Sequence, residues 1–270
     1  MTKTKLEQVH YQHLIEEGFT HEEVSELEGW GVRSIDLSES LRMGIKKWDG
    51  FKHVSDGGLF FPFSPEYGQV RLNTPITVEE KGKLKTFRYL GPSKPTKVWY
   101  PSTEVYALTE GWKDAAIPTV RGVPTGAIAG IWNVIHCVPQ GCEIPIIFDS
   151  DVWAKPHLVH GLIQAGVWTQ GRINLFPEMP DYPKGGACEF FNSGGTIADY
   201  QELIDNAMTP AEFLGQWVCR WERFDQGLRS ECAYVAERLS LYLEMESTYI
   251  KGLESQVQDK LAEWLGKTKG

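Results

Sequence analysis

Apolar positions recur with helical spacing at the start of the chain. Leu6, Val9, Leu14 and Ile15 predict a helix over Leu6 to Glu17 that stops at Gly18. Thr20-His-Glu-Glu23 reads as a capping box opening a second short helix through Val24 and Leu27, ended by Gly29-Trp-Gly31. The period then shortens. Gly58 to Leu72 holds two apolar runs around a Ser-Pro-Glu-Tyr-Gly turn, which predicts a β-hairpin. From Val105 onward, short apolar runs alternate with helical patterns. Strands are expected at Val105–Leu108, Pro118–Val123, Ile144–Phe148 and Arg172–Phe176, with helices at Trp112–Ile117, Ala127–Ile135 and Pro156–Ala165, the last ended by Gly166. After Pro177 the pattern becomes irregular as far as Gly195. Thr209-Pro-Ala-Glu212 then starts a helical pattern that reaches Leu265, with Leu228, Cys232, Val235, Leu239 and Tyr242 in a heptad-like seam that Glu246 breaks. Short antiparallel packing against the main domain is expected for it, rather than a long coiled coil. The expected class is α/β, with domains at 1–100, 101–205 and 206–270.

Two of the apolar runs end in carboxylates. Val105-Tyr-Ala-Leu-Thr-Glu-Gly-Trp-Lys-Asp114 delivers Glu110 into a Gly-containing turn, and Ile144-Pro-Ile-Ile-Phe-Asp-Ser-Asp151 delivers Asp149 and Asp151. The carboxyl ends of strands are where ligands bind in open α/β sheets. Taken singly, either acidic stretch reads as helix capping or a solvated loop. Brought together by strand pairing, the three carboxylates repel one another unless a cation lies between them. Hard oxygen donors of this kind suit Mg2+. The glycines of Gly122-Val-Pro-Thr-Gly126 fit either a phosphate-approaching turn or a plain tight turn.

A lone Glu after one strand, then Asp-x-Asp after another about forty residues later, resembles the TOPRIM domain of bacterial primases, topoisomerases and some nucleases. Thr109-Glu-Gly-Trp-Lys-Asp-Ala115 is similar to the Glu-Gly-x-x-Asp turn of the primase branch, and Phe148-Asp-Ser-Asp151 to its Asp-Gly-Asp turn. The hairpin is similar to the strand region that precedes TOPRIM in those primases. With Lys155-Pro156, Pro183-Lys-Gly185 and Gly194-Gly195, the span from His13 to about Leu214 resembles a TOPRIM-related family of unknown function in plasmid and phage replication proteins. In that family a paired Asp follows the Lys-Gly, whereas this chain has Gly186-Ala-Cys-Glu189 and only Glu189 to stand in. The resemblance implies a TOPRIM-like parallel-sheet core, preceded by an α+β region and followed by a helical segment. It also implies Glu110, Asp149 and Asp151 as catalytic ligands of Mg2+ or Mn2+, with Lys113, Asp114 and Lys155 in supporting or phosphate-contacting roles.

Composition narrows the setting. With 270 residues and a formal net charge of -9, the chain is not built to coat duplex DNA by bulk attraction. The acidic faces of the first two helices (Glu16, Glu17, Glu22, Glu23, Glu26, Glu28) argue against their forming a DNA-reading helix-turn-helix. The one basic stretch runs through Lys81, Lys83, Lys85, Arg88, Lys94 and Lys97, interleaved with Tyr89, Trp99 and Tyr100. Together with Arg71 it reads equally as a single-strand binding strip, in which Lys83, Lys85 and Arg88 meet phosphates and Trp99 stacks on bases, or as a solvated edge. Five cysteines with no Cys-x-x-Cys pair make no disulfide framework, and His136, Cys137 and Cys142 lack zinc spacing. No apolar run reaches the ~18 residues of a membrane span, and Met1-Thr-Lys-Thr-Lys-Leu-Glu7 lacks a signal peptide's apolar core. A cytoplasmic location is expected.

The function these features predict is primase-like, metal-dependent nucleotidyl transfer in plasmid or phage replication, on single-stranded nucleic acid and nucleotides. A helicase or other replication protein would dock on the C-terminal helices. A TOPRIM nuclease uses the same site with water as attacker, and a non-catalytic replication accessory would bind nucleotide or DNA without reaction. Nothing singles out one of the ten tyrosines for a topoisomerase role.

Overall fold

The computed structural model describes residues 6–45, 57–65, 67–80, 82–92, 96–182 and 184–245. Lys81, Lys94, the side chain of Lys83 and the helical pattern beyond Met245 lie outside the described residues. The chain divides after Pro101 into two compact units.

The first unit opens with helices α1 (Gln8–Glu16) and α2 (His21–Gly29). The Thr20 hydroxyl accepts from Glu23 N–H at 3.2 Å, and the Glu23 carboxylate accepts from Thr20 N–H at 2.7 Å, which closes the expected capping box. Val24 and Leu27 turn inward. Strand β1 (Arg33–Ile35), helix α3 (Leu37–Arg42) and strands β2 (Gly58–Ser64), β3 (Tyr67–Glu80) and β4 (Lys83–Leu90) follow. The strands form an antiparallel sheet in the order β1-β2-β3-β4 over a core of Ile35, Ile45, Phe60, Val70 and Leu72. Buried His10 pins α1 to this sheet, bonding Ser34 Oγ at 2.7 Å and Asn73 Oδ1 at 2.6 Å. The β3–β4 register breaks between Arg71 and Ile76. Pro75 lies in that break, where its missing N–H leaves no ladder bond unmade.

The second unit alternates strand and helix: β5 (Ala107–Glu110), α4 (Trp112–Val120), β6 (Thr125–Ile128), α5 (Val134–Cys137), β7 (Ile146–Phe148), α6 (Pro156–Thr169) and β8 (Ile173–Leu175). The four strands pair in parallel in the order β6-β5-β7-β8. Helices α7 (Ala187–Asn192), α8 (Ile197–Asp205), α9 (Pro210–Arg220) and α10 (Gln226–Met245) complete the unit. Thr209 caps α9 as its sequence predicts. Cys232, Val235 and Leu239 of the heptad-like seam are buried, and α10 packs against α6. The segment joining α8 to α9 adds a bridge to the outer side of β8, with Ile173 N–H donating to Met208 O at 2.6 Å and Met208 N–H to Ile173 O at 2.8 Å.

The stretch expected to be irregular up to Gly195 contains α7, and two further stretches fold otherwise than their local pattern predicts. The expected strand at Pro118–Val123 is instead the end of α4, and the second strand is Thr125–Ile128. Burial of Ala115, Ala116, Ile117 and Pro118 outweighs the poor helix propensity of Pro118, Thr119 and Val120. Gly126 and Ala127 make a weak strand on propensity, but their small side chains let α4 pack on β6, all of which is buried. The helix expected at Ala127–Ile135 therefore shrinks to a 3-10 turn at Ile131–Asn133 followed by α5. The other departure is in α6, which runs through Gly166 to Thr169. A Cβ on Gly166 would stand 2.7 Å from Ile173 Cδ1 and 3.0 Å from Pro210 Cγ, so this glycine serves close packing rather than helix termination.

Candidate metal and nucleotide site

Strands β5 and β7 are parallel neighbours, with Leu108 opposite Ile146, so both deliver their carboxyl ends to the same side of the sheet. Glu110 ends β5. Gly111 follows at φ +86°, a conformation that L side chains rarely adopt, and its N–H donates to Ile128 O at 2.9 Å. The chain then turns directly into α4, with Lys113 and Asp114 in its first turn. Asp149 follows β7, and Asp151 lies in the 3-10 turn Ser150–Ala154, ahead of Lys155 and α6. Asp151 Oδ2 is ion-paired with Lys155 Nζ.

A third segment closes over this corner. Gly185 O accepts from Ser150 N–H at 3.1 Å, and Asp114 Oδ1 accepts from Cys188 N–H at 3.3 Å, tying the start of α7 to both acidic turns. Between these bonds lies Gly186. A Cβ there would stand 2.9 Å from Asp149 Oδ1, 3.1 Å from Asp114 Oδ1 and 3.1 Å from Glu189 Oε2. Glu189 Oε2 itself accepts from Gly186 N–H at 3.1 Å. Glu189 thus commits its carboxylate to its own helix start.

Electrostatics mark the same corner. Burial raises the pKa of Glu110; Asp114 and Asp151 push the same way, and Lys184 and Lys155 oppose them. Burial is also the first cause at Asp149, followed by Asp114, Glu110 and Asp151, and its carboxyl is pushed up to about 9. Asp149 Oδ1 is buried with no hydrogen-bond partner. Among the described residues, no three side chains of His, Cys, Asp or Glu stand close enough to hold one ion as they are placed. The donor set is nonetheless all carboxylate oxygen, and the partnerless oxygen of Asp149 fits the chemistry of a hard divalent cation. Lys184, Gly186 and the capping role of Glu189 went unassigned in the sequence reading; the signal was Lys184-Gly185-Gly186 three residues before a Glu.

The basic stretch belongs to the first unit. Lys85 and Arg88 are exposed, and Arg71 pairs with Tyr89 across β3 and β4. Alternation along β4 sends Lys85 and Tyr89 to one face and Arg88 to the other, which splits the expected strip. Trp99 is a correction: it is only 8 % exposed and packs on Trp30 with ring centroids 5.3 Å apart, so it is a core residue and offers no platform to a base. Tyr89 and Tyr100 are more exposed, at 40 % and 41 %. Of the two readings of Gly122-Val-Pro-Thr-Gly126 the plain turn remains, because Gly122 to Pro124 lead into β6, which begins at Thr125, at the sheet end opposite Glu110.

No family model and no curated protein matches the chain. Solved structures do. The chain is similar to the Aquifex aeolicus primase, crystallised as its zinc-binding and RNA polymerase domains, at 13% identity and a TM-score of 0.50, covering 98% of this chain and 68% of that one. It is also similar to the RNA polymerase domain of Mycobacterium tuberculosis primase DnaG in complex with a double-stranded DNA oligomer with a 6-nucleotide overhang (15% identity, TM-score 0.52, 95% of this chain and 89% of that one). A further structure of that domain, in complex with the double-stranded DNA GACCGGAAGTGG, gives 13% identity, a TM-score of 0.51 and coverage of 94% and 90%. At these identities the likeness is one of fold. No helix among the described residues is long and apolar enough to cross a membrane.

Proposed function

We propose that this chain is a metal-dependent nucleic-acid enzyme with a TOPRIM-type site, carrying out primase-like nucleotidyl transfer on a single-stranded template. The observation that carries this reading is the convergence of Glu110 and the Asp149-Ser-Asp151 turn at the carboxyl ends of adjacent parallel strands, within a fold like that of primase RNA polymerase domains. Glu110, Asp149 and Asp151 are the residues that would hold Mg2+ or Mn2+. When bound, such an ion neutralises nucleotide phosphates and activates an attacking hydroxyl.

The remaining roles follow from the chain's own residues. Lys155 restrains Asp151. Lys184 and Lys155 offset the negative charge at Glu110, and both are assigned to phosphate contact. Asp114 holds the N-terminus of α7 and so keeps the Gly185-Gly186 turn against the acidic residues. Burial and the neighbouring carboxylates favour the protonated form of Asp149 in the folded chain, and it would have to be ionised to hold a cation.

Labelled single-stranded DNA with ribo- and deoxynucleotides and Mg2+ or Mn2+ tests the proposal. Longer products are expected, and Glu110→Gln, Asp149→Asn and Asp151→Asn should each abolish them. Shorter products would instead establish a nuclease, and unchanged DNA a binding accessory.

A further inference from the structure

We infer that α9 is the positioning element of the acidic turn and that Arg220 is its principal positioning residue, acting through Trp153. The catalytic consequence rests on the function proposed above; the mechanical claim does not.

Trp153 lies two residues after Asp151 in the same 3-10 turn and is 6 % exposed. Three residues of α9 meet it. The Phe213 ring stacks on the indole at 4.9 Å between centroids and 17° between planes, Trp217 Nε1–H donates to Trp153 O at 3.0 Å, and the Arg220 guanidinium lies 4.2 Å from the indole centroid. Spacings of four and three place Phe213, Trp217 and Arg220 on one stripe of the helix. Arg220 Nη1 also donates to Glu178 Oε2 at 2.9 Å, so its planar head is fixed at two points. A lysine there would keep the charge but lose the flat stack. The turn spans only Ser150–Ala154, so a shift of Trp153 displaces Asp151 and Asp149 with it. Small misplacements of catalytic groups cost large factors in rate.

The test uses full-length Arg220→Ala, Arg220→Lys and Trp217→Phe. Amide hydrogen exchange of residues 149–155 should rise roughly tenfold in Arg220→Ala, the scale of losing a partly desolvated cation–π contact, while β5 exchanges as in wild type. Arg220→Lys should fail to restore protection, and Trp217→Phe, which removes the indole N–H bond together with part of a fully buried ring, should also raise exchange of residues 149–155. The Mn2+ concentration giving half-maximal thermal stabilisation should move upward in Arg220→Ala. A lower melting temperature with unchanged local exchange and unchanged Mn2+ midpoint would overturn the inference, as would full rescue by lysine. If wild type shows no Mn2+ response, the metal reading fails alone, and the exchange measurement still decides whether α9 grips the turn.

Discussion

Asp149 concentrates the electrostatics of the site in one carboxyl group. Its pKa rises from 3.8 to about 9 on folding, through burial first and then through neighbouring carboxylates. Across that window the folded chain binds more protons than the unfolded chain, so stability falls as pH rises. Metal-free protein should therefore melt at progressively lower temperature between about pH 5 and pH 9. Asp149→Asn should flatten that decline and melt above wild type at pH 8; equal slopes in the two proteins would refute the assignment. Mg2+ binding, which must displace the proton, should tighten with pH over the same range. Gly186 predicts the opposite kind of change. Its Cβ would press on three carboxylate oxygens at 2.9–3.1 Å, so Gly186→Ala should destabilise by about 1–3 kcal/mol in a denaturant titration. The placement of Glu110, Asp149 and Asp151 at or just after strand ends was legible in the sequence because an apolar run ending in a carboxylate is a local pattern. Gly186 was not, because its constraint comes from residues on three separate elements. Trp99 misled for the same reason: only the fold brings Trp30 onto it.

The elements divide along a similar line. Thr20 and Thr209 announce their helices because a capping box is complete within four residues, and the β2–β3 hairpin is announced by its turn. The boundary between α4 and β6 is hidden, because packing of helix on strand decides it against the propensities of Pro118, Val120 and Gly126. Gly166 separates the local rule from the tertiary one experimentally. Helix propensity alone favours alanine over glycine by about 1 kcal/mol. Overpacking against Ile173 costs about 1–3 kcal/mol, so Gly166→Ala should lower stability despite improving the helix. A stabilised variant would mean that the Ile173 side chain gives way easily. Thr209→Ala should cost about 1 kcal/mol through loss of the cap, measurable in the same titration.

For the molecule as a whole, a net charge of -9 confines phosphate binding to small local surfaces. Each phosphate neutralised on a single strand contributes about 0.7 to the slope of log affinity against log salt. Since alternation puts Lys85 with exposed Tyr89 and turns Arg88 away, Lys85→Ala should reduce that slope by about 0.7 and Arg88→Ala should leave it unchanged. Equal slopes in all three proteins would make the basic stretch a solvated edge. The bridge between Ile173 and Met208 acts on a different hazard. An open parallel sheet ends in unpaired amides and carbonyls that invite another chain to dock as an extra strand. Here the α8–α9 connection occupies that position, and Arg172 Nη1 donating to Ala207 O at 3.2 Å and Asn174 Nδ2 donating to Leu203 O at 2.8 Å fasten it down. A proline at position 208 would lack the N–H that bonds Ile173 O, and light scattering of Met208→Pro on warming should rise earlier than that of wild type. The few residues between two helices thus occupy the place on the β8 edge where another chain would add as an extra strand.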